Sequence, residues 1–254
     1  MKGNIKLKSI VPILILVLWY IVTANHIVST LVLPTIPSVL EAFIEQVRDG
    51  TLLSDLGISL LRVIKGYALA VLCGGALGVF MGIDSRVHNL FLGTLTAIRQ
   101  VPIMAWIPLL VIWFGIGEGS KVAVIFLGAY FPILINTMSG ISRTDQKLIE
   151  VGKMYHLSRW QMFTKVYFPS AIPSIFVGLK LGLSISWMAV VGAEMIAARS
   201  GIGFRMNDAR SLMQYPIVFC GMFSIAILGA FMDFGLSKLA KICMPWEQKV
   251  GKNE

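Results

Sequence analysis

Five stretches of this 254-residue chain carry no Lys, Arg, Asp or Glu: Ser9 to Leu40, Gly66 to Ile83, Gln100 to Gly117, Val122 to Ser142 and Ser211 to Met232. A helix needs roughly 17–25 predominantly apolar residues to cross a hydrocarbon core, and each stretch can supply them. Only 14% of the residues are charged and 56% are hydrophobic, whereas a soluble domain carries about 25% charged residues. The pattern excludes an ordinary soluble enzyme and predicts an all-α membrane protein.

Six transmembrane helices are expected, near 10–28, 60–83, 91–113, 121–142, 174–198 and 216–238. The basic start, Lys2, Lys6 and Lys8, resembles a secretory signal, but the apolar run that follows is long and no A-x-A-like cleavage site ends it, so an uncleaved first span is expected. Arg99, Pro102 and Pro108 interrupt the third helix. Prolines at membrane depth survive where neighbours or water satisfy the freed backbone groups. Arg99, Pro102, Trp106 and Pro108 are therefore candidates for bordering a translocation pathway, with ordinary helix kinking as the alternative. Arg99 could attract an anion or anchor the helix at the cytoplasmic edge. The fifth helix contains Lys180 and Glu194, which either snorkel to opposite interfaces or line the pathway.

Positive residues are retained on the cytoplasmic side. Placing both termini inside puts Lys2, Lys6, Lys8, Arg86 and the cations of 143–165 and 238–252 in the cytoplasm, 13 in all, and leaves 7 outside: Arg48, Arg62, Lys65, Lys121, Arg199, Arg205 and Arg210. A net charge of +9 dispersed in this way is a topology signal, not a nucleic-acid surface. Cys73, Cys220 and Cys243 have neither disulfide nor metal spacing. On the outer side, Ser38-x-x-Glu41 has the form of a capping box; Leu40, Phe43, Ile44 and Val47 follow at helical spacing, then Gly50 as a stop. This predicts an amphipathic surface helix that packs on its own bundle or meets a delivery protein.

The segment 143–172 places about 30 residues with seven charges between two spans on the inner side. Its first half, Asp145 to Tyr155, sets Leu148, Val151, Gly152 and Tyr155 on one helical stripe. Its second half opens with a capping box, Ser158-x-x-Gln161, continues with Trp160, Phe163 and Tyr167 at helical spacing, and is expected to stop at Pro169. A turn at His156 and Leu157 separates the two short helices.

Catalytic chemistry is absent. Gly152-Lys153 is followed by Met154 and Gly251-Lys252 by Asn253, so there is no phosphate-binding G-x4-G-K-[ST] loop. His26, His88 and His156 are scattered, and neither H-E-x-x-H nor G-x-S-x-G occurs.

The inner loop resembles the cytoplasmic signature of binding-protein-dependent importers, E-A-A-x3-G-x9-I-x-L-P. Here it reads Glu150-Val151-Gly152, then His156 at the central glycine position, then Val166-Tyr167-Phe168-Pro169. The resemblance covers roughly 37–216 and looks closest to permeases for nitrate, taurine and aliphatic sulfonates. It is carried by Ser59-Leu60-Leu61-Arg62, Arg99-Gln100-Val101-Pro102, Ala105-Trp106-Ile107-Pro108-Leu109, Trp113-Phe114-Gly115-Ile116-Gly117-Glu118, Ala193-Glu194 and Ser200-Gly201-Ile202-Gly203.

That resemblance implies a single transmembrane permease domain over 1–254 in a bacterial inner membrane, and the excess of inner over outer cations supports both termini in the cytoplasm. It implies an importer built from two permease copies, two ATP-binding-cassette ATPase subunits and an extracytoplasmic solute-binding protein. ATP and magnesium would be held by the ATPase, with no cofactor on this chain. Glu150, Gly152, His156, Ser158, Trp160, Phe163 and Pro169 would form the coupling element that docks on the ATPase. Glu194 joins the third-helix residues as a pathway candidate, and the solute is expected to be a small anion such as a sulfonate. A secondary transporter or channel driven by an ion gradient is the alternative; a membrane enzyme lacks a catalytic constellation.

Overall fold

A computed structural model describes residues 4–245, and the described residues are helical with no strand. Lys2, Lys249 and Lys252 of the topology argument lie outside them. In chain order the helices are α1 (Asn4–Ala24), α2 (Ile36–Arg48), α3 (Thr51–Ile83), α4 (Ser85–Gln100), α5 (Ile103–Phe114), α6 (Glu118–Ser142), α7 (Gln146–Met154), α8 (Arg159–Met162), α9 (Phe168–Ala197), α10 (Ile202–Ser211) and α11 (Tyr215–Cys243). A π-helical turn, Phe163–Tyr167, joins α8 to α9.

Four helical segments are long and apolar enough to cross a membrane: α3, α6, α11 and the segment Arg159–Ala197. A fifth span exists if α4 and α5 count as one, and Ile10–Ala24 of α1 is a shorter apolar helix. The expected third span is not one straight helix: α4 and α5 meet at 97°. Val101 is extended, at φ −76° and ψ 121°, because a residue before proline is pushed out of the helical region, and Pro102 has no N–H to continue the ladder. Pro108 is accommodated inside α5.

The core is α3, α6 and α9, and small residues let these helices approach closely. Gly66, Ala70, Gly74, Gly78 and Gly82 recur every four residues along α3 and form a ridge against α6. Ridges of this kind drive helix association in lipid, where side-chain hydrophobicity offers no preference. A Cβ on Gly78 would lie 2.7 Å from the Leu134 carbonyl oxygen and 2.8 Å from Thr137 Cβ, whereas one on Gly75 would meet nothing within 4 Å. Gly178 and Gly182 of α9 approach Asn136 and Ile133 of α6 in the same way. Gly78→Leu is therefore expected to destabilise the bundle by about 3 kcal/mol, the upper part of the usual overpacking range, since the obstacle is backbone. Gly75→Leu should be tolerated. Recovery of monodisperse protein by detergent gel filtration checks this; equal recovery of the two variants would contradict it.

The remaining helices wrap this core. Trp19 of α1 donates from Nε1 to the Pro34 carbonyl at 2.9 Å and packs on Phe219 and Phe223 of α11. The amphipathic α2 packs on α11 and α3, with Leu40 and Ile44 exposed. Its N-cap is Thr35, whose hydroxyl accepts from Ser38 N–H, and not Ser38 as the spacing predicts. Pro37 explains the shift, because a proline is preorganised for the first turn. Gly50 ends α2 in the left-handed region, at φ 77°. The next helix, α3, runs from Thr51, nine residues before the expected start at 60, and so takes in Asp55 as well as Arg62.

Candidate functional site

Functional candidates gather in three places: the two-helix insert, the cavity at the broken helix and a buried ion-pair cluster. The insert between α6 and α9 begins with Asp145, which caps α7 by accepting from Lys147 N–H at 2.9 Å. His156 adopts φ 50°, the left-handed turn that its place between two short helices requires and that histidine enters more readily than most residues. The Ser158 capping box is complete: Gln161 N–H donates to the Ser158 hydroxyl, and Ser158 N–H donates to Gln161 Oε1 at 2.9 Å.

The second helix does not stop at Pro169. It passes through the π turn into α9, making one continuous segment of 39 residues, Arg159–Ala197. Proline removes one hydrogen bond and crowds the preceding turn; the wide turn absorbs this, with Phe168 N–H donating to the Phe163 carbonyl five residues back. Gly152 is buried under Met162, which would lie 2.8 Å from an added Cβ, so the small residue brings the two short helices together. Glu150 is exposed, and Trp160 is 72% exposed. Phe163 is half-buried between the rings of Trp160 and Phe168, at 5.9 and 5.8 Å. A groove of about 540 Å³ runs between the helices, lined by Leu148, Val151, Gly152, Leu157, Val166 and Pro169.

The bend between α4 and α5 opens a cavity of about 420 Å³ against α6 and α9. Arg99, Pro102 and Trp106 line it together with Phe131 and Asn136. Asn136 donates its own amide N–H to the Pro132 carbonyl at 2.8 Å. Pro108 and Glu194 are not among its lining residues.

Glu194 is instead fully buried, at 0% exposure, and neither snorkels nor faces the cavity. Ser59 donates its hydroxyl to the Glu194 carboxylate at 2.8 Å, Arg62 donates from Nη1 at 2.8 Å, and Gly203 N–H donates at 2.9 Å. Arg62, 3% exposed, completes its bonding with the Ser200 carbonyl at 2.8 Å and with a two-point contact to Glu118, whose Oε2 accepts from Nε at 2.8 Å. Beside them, Asp55 accepts from Gly201 N–H at 3.0 Å and from Arg205 Nε at 2.8 Å. The N-terminus of α10 thus points its free N–H groups at two buried carboxylates, as the helix dipole favours. Gly201 has φ 102° and ψ 165°, a conformation essentially reserved for glycine. An added Cβ there would lie 2.5 Å from Glu194 Oε1.

The family described as "Binding-protein-dependent transport system inner membrane component" matches residues 70–241. This chain belongs to that family. It is 35% identical over 237 residues to the "Putative aliphatic sulfonates transport permease protein SsuC" of Bacillus subtilis, covering 93% of this chain and 86% of the relative. It is 34% identical over 241 residues to the "Taurine transport system permease protein TauC" of Escherichia coli, covering 93% and 88%. The "Nitrate import permease protein NrtB" of a Synechocystis strain is 33% identical over 219 residues, covering 85% and 78%. The fold is similar to a chain of the MetNI methionine ABC transporter in an inward-facing conformation, with a TM-score of 0.63 at 15% identity, over 73% of this chain and 92% of that one.

The permease is thus the multi-pass membrane component of an ATP-binding-cassette importer, a transport component whose ATPase is a separate subunit. Family membership implies dimeric permeases with ATPase and binding-protein partners. The ion-pair cluster of the permease was missed by sequence reasoning, which treats Arg62 as an outer cation and Glu194 as a snorkelling or pathway residue. A signal existed: four of the family-like segments, those containing Arg62, Glu118, Glu194 and Gly201, are the ones that converge there. The helix α10 was missed as well, although Ile202, Met206 and Ala209, all buried on it, have helical spacing.

Proposed function

We propose that the permease imports a small oxyanion of the sulfonate class, working as two copies with two ATPase subunits, which hold ATP and magnesium, and an extracytoplasmic binding protein. The observation that carries the substrate class is the cavity at the α4–α5 bend, where Arg99 stands beside Trp106 and Asn136: one cation, an aromatic wall and an amide suit a compact anion with a short organic tail. The relatives named for aliphatic sulfonates, taurine and nitrate handle, by those names, solutes that carry a sulfonate or nitrate oxyanion group. Pro102 borders the same cavity and keeps the helix broken there.

Both termini lie in the cytoplasm on this reading, with α1 and the α4–α5 pair each counted among six membrane passages. Three of the seven cations assigned to the outer side are held in ion pairs or by backbone carbonyls. Arg62 and Arg205 are in ion pairs, and Lys121 donates to the carbonyls of Ile116 and Gly117. The insert α7–α8 is then cytoplasmic. Its groove, with Glu150 and Trp160 exposed beside it, is the coupling surface for the ATPase.

Arg99→Ala is expected to raise the KM for uptake about ten- to hundredfold, from the 1.5–3 kcal/mol of a charge-assisted hydrogen bond, while basal ATP hydrolysis persists. Uptake of labelled methanesulfonate, taurine and nitrate by the complete complex in proteoliposomes is the measurement. An unchanged KM for every transported anion would remove Arg99 from the pathway.

A further inference from the structure

We infer that the guanidinium edge of Arg62 that faces Glu118 is a second oxyanion site of the permease, closed in this structure by the Glu118 carboxylate acting as an internal substitute for the anion. The inference rests on the anion-importer reading above and adds a site far from Arg99: Glu118 opens α6, and Asn136 at the cavity lies 18 residues further along it, about 27 Å at 1.5 Å per residue.

The two sides of Arg62 are unlike. Its Nη1 is fixed to Glu194 and the Ser200 carbonyl, both at 2.8 Å, within a fully buried cluster. The opposite edge, Nε and Nη2, takes Glu118 in a two-point contact. That is the parallel fork by which arginine recognises carboxylate, phosphate and, by the same geometry, sulfonate oxygens. The Ser200 hydroxyl stands 3.2 Å from Nη2 and offers a further polar contact to whatever occupies the edge.

Glu118 is built to leave. Its side chain is 58% exposed while Arg62 is 3% exposed, so the carboxylate covers the guanidinium from the solvent side. It follows Gly115-Ile116-Gly117 directly, and Gly115 sits at φ 76° and ψ 177°, backbone that belongs to glycine. Gly117 gives the first turn of α6 no side-chain cap, and the tethers there, from Ser120 and Lys121, go to the carbonyls of Ile116 and Gly117 and not to the Glu118 carboxylate. With Glu118 swung out, three cations remain around the vacated edge: Arg62, Lys121 and Lys65, the last two acting electrostatically on the same carboxylate. They face the buried carboxylate of Glu194, while that of Asp55 beside it is already paired with Arg205, and the local excess of positive charge attracts an anion. With both termini inside, this end of α6 is on the delivery side, where a solute first meets the permease.

The test uses the full-length chain in nanodiscs, titrated with methanesulfonate and with neutral methanesulfonamide, with binding read by calorimetry. Removing an internal competitor multiplies apparent affinity by the inverse of the open fraction, so Glu118→Ala should bind methanesulfonate at least about fivefold more tightly than the parent. Methanesulfonamide should bind neither. Adding Arg62→Lys to Glu118→Ala keeps the charge but abolishes the fork and should return affinity to the parental level. Helicity and gel-filtration profile establish that each variant is folded. Equal methanesulfonate affinity in folded parent and folded Glu118→Ala overturns the site, whether or not the assembled complex takes up sulfonate. Retention of the gain after Arg62→Lys also overturns it, because the anion would then not be held by the fork.

Discussion

Arg62→Ala is expected to destabilise the permease by about 3–5 kcal/mol, the cost of leaving a buried carboxylate without its counter-charge. Glu194 has no route to water, and the Ser59 hydroxyl and Gly203 N–H that also bind it do not neutralise it. The same substitution releases the Ser200 carbonyl, so α3, the end of α9 and the entry to α10 lose their common anchor. The check is the midpoint of denaturant-induced unfolding in micelles, together with the yield of monodisperse protein. A double substitution, Arg62→Met with Glu194→Gln, removes both charges and should recover part of the loss. A parental midpoint for Arg62→Ala would mean that the pair contributes nothing to the fold.

Trp160→Asp is expected to weaken ATPase docking about 30-fold or more, since a central tryptophan in an interface is worth about 2 kcal/mol or above. Trp160 is mostly exposed in the isolated chain, so the substitution leaves the bundle intact and membrane expression normal. Glu150→Lys should reduce docking or stimulation of hydrolysis by reversing a charge on the exposed side of α7. His156→Gly should preserve transport, because the φ of 50° costs glycine nothing. ATP hydrolysis and uptake are measured together in the reconstituted complex. Normal docking, hydrolysis and uptake in both Trp160→Asp and Glu150→Lys would refute the coupling role of the insert.

What the sequence made legible is what local chemistry determines. A capping box is written in four consecutive residues, and a left-handed turn in one, so Ser158, Gln161 and His156 are found where the spacing puts them, although the same pattern at Ser38 gives way to Thr35 beside Pro37. The absence of charge over long runs likewise establishes an all-helical membrane protein. Helix limits were less legible: the expected span begins at 60 and takes in Arg62 and Lys65, whereas α3 begins at Thr51 and takes in Asp55 as well. A charged residue terminates a span only where no partner is available, and here the partners lie 132 residues away for Arg62 with Glu194 and 150 for Arg205 with Asp55. Periodicity along one helix carries no information about such a pair. The glycine ridge of α3 was open to reading, as it recurs every four residues, but a search for apolar runs scores a glycine by hydropathy and not by size. The bend at Pro102 is the intermediate case: the proline marks the position, while the angle depends on what α4 and α5 pack against.

The continuity of Arg159–Ala197 has a consequence for how large a stroke must be. From Trp160 to Glu194 the helix spans 34 residues, about 51 Å at 1.5 Å per residue, so a tilt of roughly 6° about one end sweeps the other through about 5 Å, the width of a small solute. Tilts among membrane helices range over about 0–40°, and a change of that size asks no helix to exchange neighbours. Angular leverage of this kind makes the amplitude of gating a property of helix length, leaving the ATPase to supply only a small rotation at the near end.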